Sequence, residues 1–164
     1  MTKKIFVPKP FFSFVLNEKL ELKLKNYIYS KNKIEIIGGL IGHIKGSNKN
    51  EIVYEIRKFF PFPNLSMERE KYAILPKDWF SILDEWRNFN FPEHKFIGFL
   101  HTHPFSASKL SKQDRRFGEQ LKKKYGSLIL IVIGENEFLR CYLFNDFKIA
   151  TILGKTHFYK VLDK

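Results

Sequence analysis

An unbroken apolar run from Ser127 to Ile133 constrains the fold of this chain more than any other stretch. Its sequence, SLILIVI, has no polar position after the serine, so neither side of a strand built from it can face solvent. Such strands lie in the middle of a sheet, where both faces are covered. Because segments with helical spacing occur on its N-terminal side, we predict an α/β fold in which helices flank a mixed central β-sheet.

The other elements follow from the period of the apolar residues and from turn residues. Helices are predicted at 17–30, 76–91 and 111–125, and further strands at 34–45, 51–60, 95–100, 138–144 and 147–153. Gly38, Gly39 and Gly42 indicate a close backbone approach or a bulge in the strand at 34–45. Pro61 and Pro63 are expected to stop the next strand, and Phe89 to lie on the inner face of the second helix. Turns are predicted at 46–50 and 145–146, a surface loop at 64–76, an irregular segment or edge strand at 1–15, and a short helix or strand at 155–164.

Length and composition exclude several classes of protein. At 164 residues the chain is long enough for one domain, taken as residues 1–164, and its 44% hydrophobic content argues against disorder. No apolar run approaches the roughly 18 residues of a membrane span, and no cleavable signal follows the basic start. A cytoplasmic protein without a membrane partner is therefore expected. The single cysteine, Cys141, excludes an internal disulfide and is predicted to be a buried small hydrophobe.

A net charge of +12 leaves two interpretations open. Lysines are spread along the whole chain, which is typical of a generally lysine-rich surface. An acidic partner, either nucleic acid or protein, is the alternative. Basic residues are densest close to the histidine motif described next, at Lys112, Arg115, Arg116, Lys122, Lys123 and Lys124. Nucleic acid is kept as the minor of these alternatives.

The stretch HTHPFSASKLSKQD, from His101 to Asp114, carries three good ligands for a divalent metal. His101 and His103 end a predicted strand one residue apart, so both imidazoles lie on one face and can share a metal ion. Asp114 falls in the first turn of a predicted helix, where the helix dipole favours the ionised carboxylate. Two histidines, one aspartate and an open fourth position are typical of a catalytic zinc site, since structural zinc has four protein ligands. Ser111 and Asp114 also form a capping-box pattern, which explains this half of the motif without a metal.

The motif resembles the signature of the JAMM (MPN+, JAB) metalloproteases. That family also has an upstream glutamate in a strand segment of the form E-x-x-G-x-L-x-G, which this chain matches from Glu35 to Gly42 as EIIGGLIG. The resemblance covers about residues 15–150 and implies the MPN/JAB fold, a cytidine-deaminase-like architecture. The compact chain is similar to the stand-alone JAB proteins of prokaryotes, which implies a single JAB/MPN metalloprotease domain.

The resemblance also implies a role for each of five residues. His101, His103 and Asp114 correspond to the ligands of one catalytic Zn²⁺ ion. Glu35 corresponds to the general base, which takes a proton from the zinc-activated water and later passes it to the leaving amine. Ser111 corresponds to the hydrogen-bond donor that stabilises the tetrahedral oxyanion, a role that is compatible with helix capping.

The activity so implied is zinc-dependent hydrolysis of the amide bond after the C-terminal glycine of a ubiquitin-like protein or its conjugate. The expected partner is therefore a ubiquitin-like protein, bound as substrate. Deconjugation and precursor processing are both open, as is a place in an anti-phage CBASS operon or another bacterial ubiquitin-like operon. Two other classes also stay open, a non-catalytic MPN protein-interaction module and a basic nucleic-acid-binding protein.

Overall fold

A computed structural model describes residues 12–31, 33–46, 52–69, 71–107, 109–135, 138–144 and 149–155. Within these ranges the chain forms seven strands and three α-helices: β1 (Phe12–Leu16), α1 (Glu18–Ser30), β2 (Ile37–Gly46), β3 (Ile52–Phe62), α2 (Trp79–Asn90), β4 (Lys95–His103), α3 (Lys112–Tyr125), β5 (Leu128–Gly134), β6 (Phe138–Phe144) and β7 (Ile149–Lys155). The strands form one sheet in the order β1-β3-β2-β4-β5-β6-β7. The pairs β1–β3 and β4–β5 are parallel and the others antiparallel, which confirms the predicted α/β fold with a mixed sheet.

The apolar run from Ser127 to Ile133 forms most of β5, and all seven residues of this strand are buried, as predicted. Helix α1 covers one face of the sheet, where Leu20 and Leu24 join the core of that face. Helices α2 and α3 cover the other face, to which they contribute Leu83 and Leu121. Full burial of one such side chain stabilises the fold by about 1.5–3 kcal/mol. These contacts therefore hold the helices against both faces of the sheet.

Glycines in β2 allow neighbouring elements to approach it closely, as predicted. A side chain at Gly42 would collide with the carbonyl oxygen of Glu55 in β3, and the β2–β3 pairing shifts between Ile41 and Gly42. A Cβ atom at Gly39 would come within 2.8 Å of Leu83 in α2. The glycines therefore mark a bulge and a close helix contact in the strand that follows Glu35.

Strand β2 begins at Ile37, three residues later than the predicted start at Ile34. The N–H groups of the two residues before it donate to partners outside the backbone ladder of the sheet. The N–H of Glu35 donates to the carbonyl of Arg69 in the loop after β3, at 2.7 Å. The N–H of Ile36 donates to a side chain, the hydroxyl of Thr102, at 3.0 Å. Apolar character alone could not reveal these partners, so the predicted boundary was wrong.

Of the two prolines predicted to stop the second strand, Pro63 follows its last residue, Phe62, as expected. The prediction was wrong for Pro61, which lies within β3 opposite Gly38 of β2. Proline lacks an N–H, so a strand tolerates it only where that group needs no partner. Strand β1 pairs only with the Ile52–Ile56 part of β3. Among the described residues, the side of β3 away from β2 has no neighbouring strand at Pro61, and the missing donor costs little.

Helix α2 departs from the prediction in two ways. It begins at Trp79 rather than Pro76, with Asp78 immediately before it. Phe89 is 88% exposed instead of buried. At 100° per residue, Phe89 is rotated about 80° from Trp79 around the helix axis, while Leu83 and Trp86 stay within about 40°. The face of α2 that packs against the sheet therefore covers a narrower arc of the helix than its apolar residues do.

The remaining predictions fall partly outside the described residues. β1 is an edge strand, and residues 63–69 and 71–78 lie in neither a helix nor a strand, as expected of a loop. β6 and β7 pair as the predicted antiparallel hairpin. The predicted turn at 145–146, residues 47–50 of the predicted turn at 46–50 and residues 156–164 of the predicted segment at 155–164 lie outside the described residues. None of the helices in the described part of the chain is long and apolar enough to cross a membrane.

Candidate metal centre

Two histidines stand at the carboxyl end of β4, in the middle of the sheet. Side chains alternate along a strand, so His101 and His103 share the face of Phe99, and Thr102 lies on the opposite face. The two imidazole rings are 4.6 Å apart, centroid to centroid, and nearly perpendicular at 85°. Both residues are buried. The strand thus brings two imidazoles together on the face of the sheet that α3 covers.

A hydrogen bond to the backbone fixes the orientation of His103. Its Nδ1 lies 3.1 Å from the carbonyl oxygen of Ala107, in the loop after β4. Because a carbonyl oxygen only accepts, Nδ1 carries the hydrogen, and in the neutral ring Nε2 keeps its lone pair. This tautomer is the one required of a metal ligand that binds through Nε2.

Asp114 reaches the histidines from the first turn of α3. The N–H of Asp114 donates to Ser111 Oγ at 3.0 Å, and the N–H of Ser111 donates to Asp114 Oδ2 at 2.7 Å. These two bonds are the capping box that the sequence predicts. They direct the carboxylate toward β4, where Oδ1 lies 3.3 Å from His101 Nε2 and Oδ2 lies 3.5 Å from His103 Nε2.

The three side chains suit a divalent metal by chemistry as well as by distance. One ligand atom from each of His101, His103 and Asp114 lies within 4.8 Å of the others. The buried His101 Nε2 has no hydrogen-bond partner among the described residues, since its approach to Asp114 lacks hydrogen-bond geometry. Burial alone raises the pKa of Asp114, but the two imidazoles and Ser111 hold that pKa well below its usual range. An ionised carboxylate and two imidazole nitrogens are a ligand set typical of zinc.

Glu35 lines the same cleft, immediately before β2. Its backbone is fixed on both sides, since its N–H donates to Arg69 and its carbonyl accepts a hydrogen bond from Asn64 Nδ2 at 3.0 Å. Burial raises the pKa of Glu35 to about 7; His103 opposes this rise, and Asp114 adds to it. A carboxyl group with a pKa near neutrality can both accept and release a proton at physiological pH.

Thr102 holds the Glu35 segment against β4, a role that the sequence pattern did not reveal. Its Oγ1 accepts the buried hydrogen bond from Ile36 N–H, and its own N–H donates to the Ile36 carbonyl, both at 3.0 Å. A weak signal was available, because a residue between two same-face histidines must point the other way. Its partner, 66 residues earlier in the chain, could not be inferred from that alternation.

Asn64 organises the loop after β3 and was likewise not predicted. Its Oδ1 accepts hydrogen bonds from the N–H groups of Ser66 at 3.0 Å and Ile74 at 3.2 Å, while its Nδ2 donates to Glu35 and to Tyr72 at 2.8 Å. The bond to Ser66 is an Asx turn, which asparagine forms commonly. The same side chain therefore closes the loop and anchors the backbone of Glu35.

The candidate centre opens into a cleft of about 810 Å³. Residues 71–77 form one wall, and the face of α3 that carries Arg116 and Phe117 forms the other. Ser111 also lines the cleft. Its Oγ acts as acceptor in the capping box, so the hydroxyl hydrogen is left to be donated toward a bound molecule. The cleft therefore combines metal ligands, a carboxyl group and a hydroxyl donor.

Elsewhere in the described ranges, no group of three histidine, cysteine or carboxylate side chains is close enough to share a metal ion. His43 and His94 contact each other edge to face, with ring centroids 4.6 Å apart, and His157 lies outside those ranges. Cys141 is completely buried, and burial raises the pKa of its thiol well above the ordinary value. It is thus the buried small hydrophobe that was predicted.

The fold is similar to that of a solved bacterial protein. The solution structure of DSY2949 from Desulfitobacterium hafniense matches with a TM-score of 0.62 at 17% sequence identity. The match covers 85% of this chain and 90% of that one, and at this identity it concerns the fold alone. Among curated proteins, none matches the chain significantly.

The sequence also matches the model of a protein family, described as JAB1/Mov34/MPN/PAD-1 ubiquitin protease. The match spans residues 13–125, which is more than half of the chain. It runs from β1 to the end of α3 and includes Glu35 and the whole motif from His101 to Asp114. The chain therefore belongs to the JAB/MPN family.

Proposed function

We propose that this chain is a zinc-dependent isopeptidase or peptidase of the JAMM type. Its substrate is a ubiquitin-like protein or its conjugate, which it hydrolyses at the amide bond after the C-terminal glycine. The JAB family includes both metalloisopeptidases and non-catalytic members. Family membership alone does not distinguish these classes, and the proposal depends on the chemistry of the site.

The observation that supports catalysis most strongly is the combination of three convergent ligands with a buried glutamate. A site with three protein ligands leaves a coordination position for water or substrate, whereas structural zinc sites are closed by four. A metal supplied only for stability would have no use for Glu35, whose burial raises its pKa to about 7. A buried carboxyl group is costly to the fold and is expected where it performs chemistry.

When bound, zinc supplies Lewis-acid chemistry, since it lowers the pKa of water toward about 7 and polarises a carbonyl group. Glu35 acts as the general base and then as the general acid. Its carboxylate accepts a proton from the attacking water, and the resulting carboxyl group passes that proton to the amine that leaves. The hydrogen bond that the Glu35 N–H donates to the Arg69 carbonyl and the one that the Glu35 carbonyl accepts from Asn64 fix the backbone from which this carboxyl group projects.

Ser111 stabilises negative charge on the carbonyl oxygen that is attacked. The capping box fixes Oγ at the start of α3, and the positive end of the helix dipole also favours negative charge there. A single donor of this kind typically contributes about 2.7–4 kcal/mol to transition-state stabilisation. Capping and catalysis therefore use different capacities of the same hydroxyl group, as acceptor and as donor.

The experiment that tests the proposal measures zinc content and cleavage together. The probes are bacterial ubiquitin-like proteins that carry an aminocoumarin on the C-terminal glycine. We expect about one zinc ion per chain in the wild type. Glu35→Gln should retain zinc and the fold but lose roughly 100-fold or more of kcat/KM, because it removes the base. Glu85→Gln, on the exposed surface of α2, is the matched control and should behave as the wild type.

A second variant, His103→Ala, separates the role of the metal from that of the base. It should lose both zinc and cleavage, while circular dichroism shows that helices and strands persist. Retained cleavage in either Glu35→Gln or His103→Ala would contradict the proposal. Wild-type protein that carries no zinc and cleaves none of the probes would favour a non-catalytic interaction module instead.

A further inference from the structure

We propose that the cleft selects an acidic, extended peptide segment, so that substrates carry Asp or Glu close to the scissile bond. The inference rests on the proposed function for its reaction. It concerns the walls of the cleft and not the metal ligands, and it names the chemistry of the substrate segment that lies between those walls.

Basic side chains line both walls of the cleft. Lys112 and Arg116 project from α3, and Lys77 from the loop opposite. All three are exposed, and within the described ranges none of them forms an ion pair. The two carboxyl groups of the lining, those of Glu35 and Asp114, belong to the candidate metal centre. Beyond that centre the cleft therefore has an excess of positive charge.

Helix stability does not explain the position of Lys112 and Arg116. Lys112 is the first residue of α3 and Arg116 follows one turn later, so both lie at the positive end of the helix dipole. Four residues apart, the two like charges also repel each other. The other basic residues, Lys122, Lys123 and Lys124, lie in the last turn, where the dipole favours them. The basic cluster seen in the sequence thus separates into three lysines that stabilise the end of α3, two residues that line the cleft, Lys112 and Arg116, and Arg115, which does neither.

The spacing of the two cations suits an extended polypeptide. Residues four apart in an α-helix are separated by about 6 Å along the axis. Alternate side chains of an extended chain are roughly 6.6 Å apart. A peptide that runs along α3 therefore presents two carboxylates, at positions i and i+2, to Lys112 and Arg116. An arginine can bind such a carboxylate through two parallel hydrogen bonds.

The rest of the lining favours a peptide over a nucleic acid. Apolar side chains of Ile37, Leu75, Trp79, Phe117 and Leu130 also line the cleft. A peptide with alternating acidic and apolar residues satisfies both kinds of wall. The phosphates of a nucleic acid recur on every nucleotide and would suit a groove of uniform positive charge.

The test uses two dye-labelled peptides, Glu-Leu-Glu-Leu-Gly-Gly and Lys-Leu-Lys-Leu-Gly-Gly, whose binding to the zinc-loaded protein is measured by fluorescence anisotropy. We expect the glutamate peptide to bind about tenfold more tightly at low salt, and added salt to reduce the difference. Arg116→Glu should remove most of this preference. Arg115→Glu is the matched control, because Arg115 is an exposed neighbour on the same helix that does not line the cleft.

Three outcomes would overturn the inference: equal binding of the two peptides, equal effects of Arg116→Glu and Arg115→Glu, or tighter binding of a dT12 oligonucleotide than of the glutamate peptide. Aminocoumarin forms of both peptides separate this inference from the proposed function. Binding of the glutamate peptide without cleavage of any probe would leave the cleft inference standing and contradict the isopeptidase. Equal cleavage of both peptides would support hydrolysis and contradict the selection of acidic segments.

Discussion

The Thr102 hydroxyl joins two segments that must lie side by side for Glu35 to stand over the histidines. It accepts the N–H of Ile36, the residue after Glu35, in a buried hydrogen bond of 3.0 Å. Thr102 itself lies between His101 and His103. One side chain therefore fixes Glu35 and the two histidines relative to each other, although it faces away from the cleft.

Replacing Thr102 with valine keeps the shape of the side chain and removes the acceptor. We expect Thr102→Val to lower the free energy of unfolding by about 1–3 kcal/mol, because the Ile36 N–H is left buried without a partner. Urea unfolding measures this loss, and kcat/KM should fall with zinc content unchanged. Thr102→Ser retains the acceptor and should lose less stability. If the valine and serine variants were equally destabilised, the hydroxyl would not be the cause.

At the scale of single residues, local pattern predicted the candidate ligands but not the residues that position them. Alternation along a strand placed His101 and His103 on one face, and the capping pattern placed Asp114 in the first helical turn. Thr102 and Asn64 act through partners distant in sequence, namely Ile36 and Glu35. Their contribution depends on which segments meet in the folded sheet, and no local pattern carries that information.

Among the elements, α3 packs directly against β6 at Gly118. A side chain at this position would collide with the ring of Phe144 in β6, which is completely buried. The helix that carries Asp114 is thus held close to the sheet by the absence of a side chain. A larger residue would move the first turn of α3, and with it the carboxylate, away from β4.

We expect Gly118→Ala to destabilise the protein by about 1–3 kcal/mol. This is opposite to the gain of up to about 1 kcal/mol that alanine usually gives over glycine inside a helix. Thermal or urea unfolding checks the sign, with the exposed Lys123→Ala as control. Adding Phe144→Leu should recover part of the loss, since it makes room for the new methyl group. A stabilised Gly118→Ala would show that α3 can shift freely.

Elements were predictable from sequence where their own residues determine them. β5 has no polar position, and Asn17 caps α1 through the 2.8 Å bond from Leu20 N–H to its side chain. Boundaries that depend on a neighbour were predicted wrongly. The start of β2 depends on a loop carbonyl, and the continuation of β3 through Pro61 depends on where β1 ends.

At the scale of the whole molecule, the lowered pKa of His94 makes stability depend on pH. His94 is packed between Phe91 and His43, and the charges of Arg57 and Lys58 in β3 also act on it. Burial is the largest cause that lowers the pKa of His94 below its ordinary value of 6.5, and the neighbouring cations add to it, while Glu93 opposes them. The folded state therefore favours neutral His94.

The sign of the pH effect follows from this lowered pKa. The unfolded chain protonates His94 first, so stability from the neutral ring is fully present above pH 6.5 and is lost as the pH falls below it. We expect the free energy of unfolding, measured with saturating zinc, to decrease from pH 7.5 to 5.5. His94→Gln should show a shallower decrease. Equal slopes for the two proteins would rule out His94 as a source of the dependence.

The capping box at the start of α3 has a consequence for the evolution of related chains. Ser111 and Asp114 cap the helix whether or not a metal is bound, whereas His101 and His103 have no part in that cap, and His103 bonds the loop carbonyl of Ala107. A related chain without the proposed hydrolysis would be free to change its histidines and would still benefit from its serine and aspartate. In related chains, Ser-x-x-Asp is therefore a poor marker of surviving activity, and the histidine pair together with the upstream glutamate is the one to inspect.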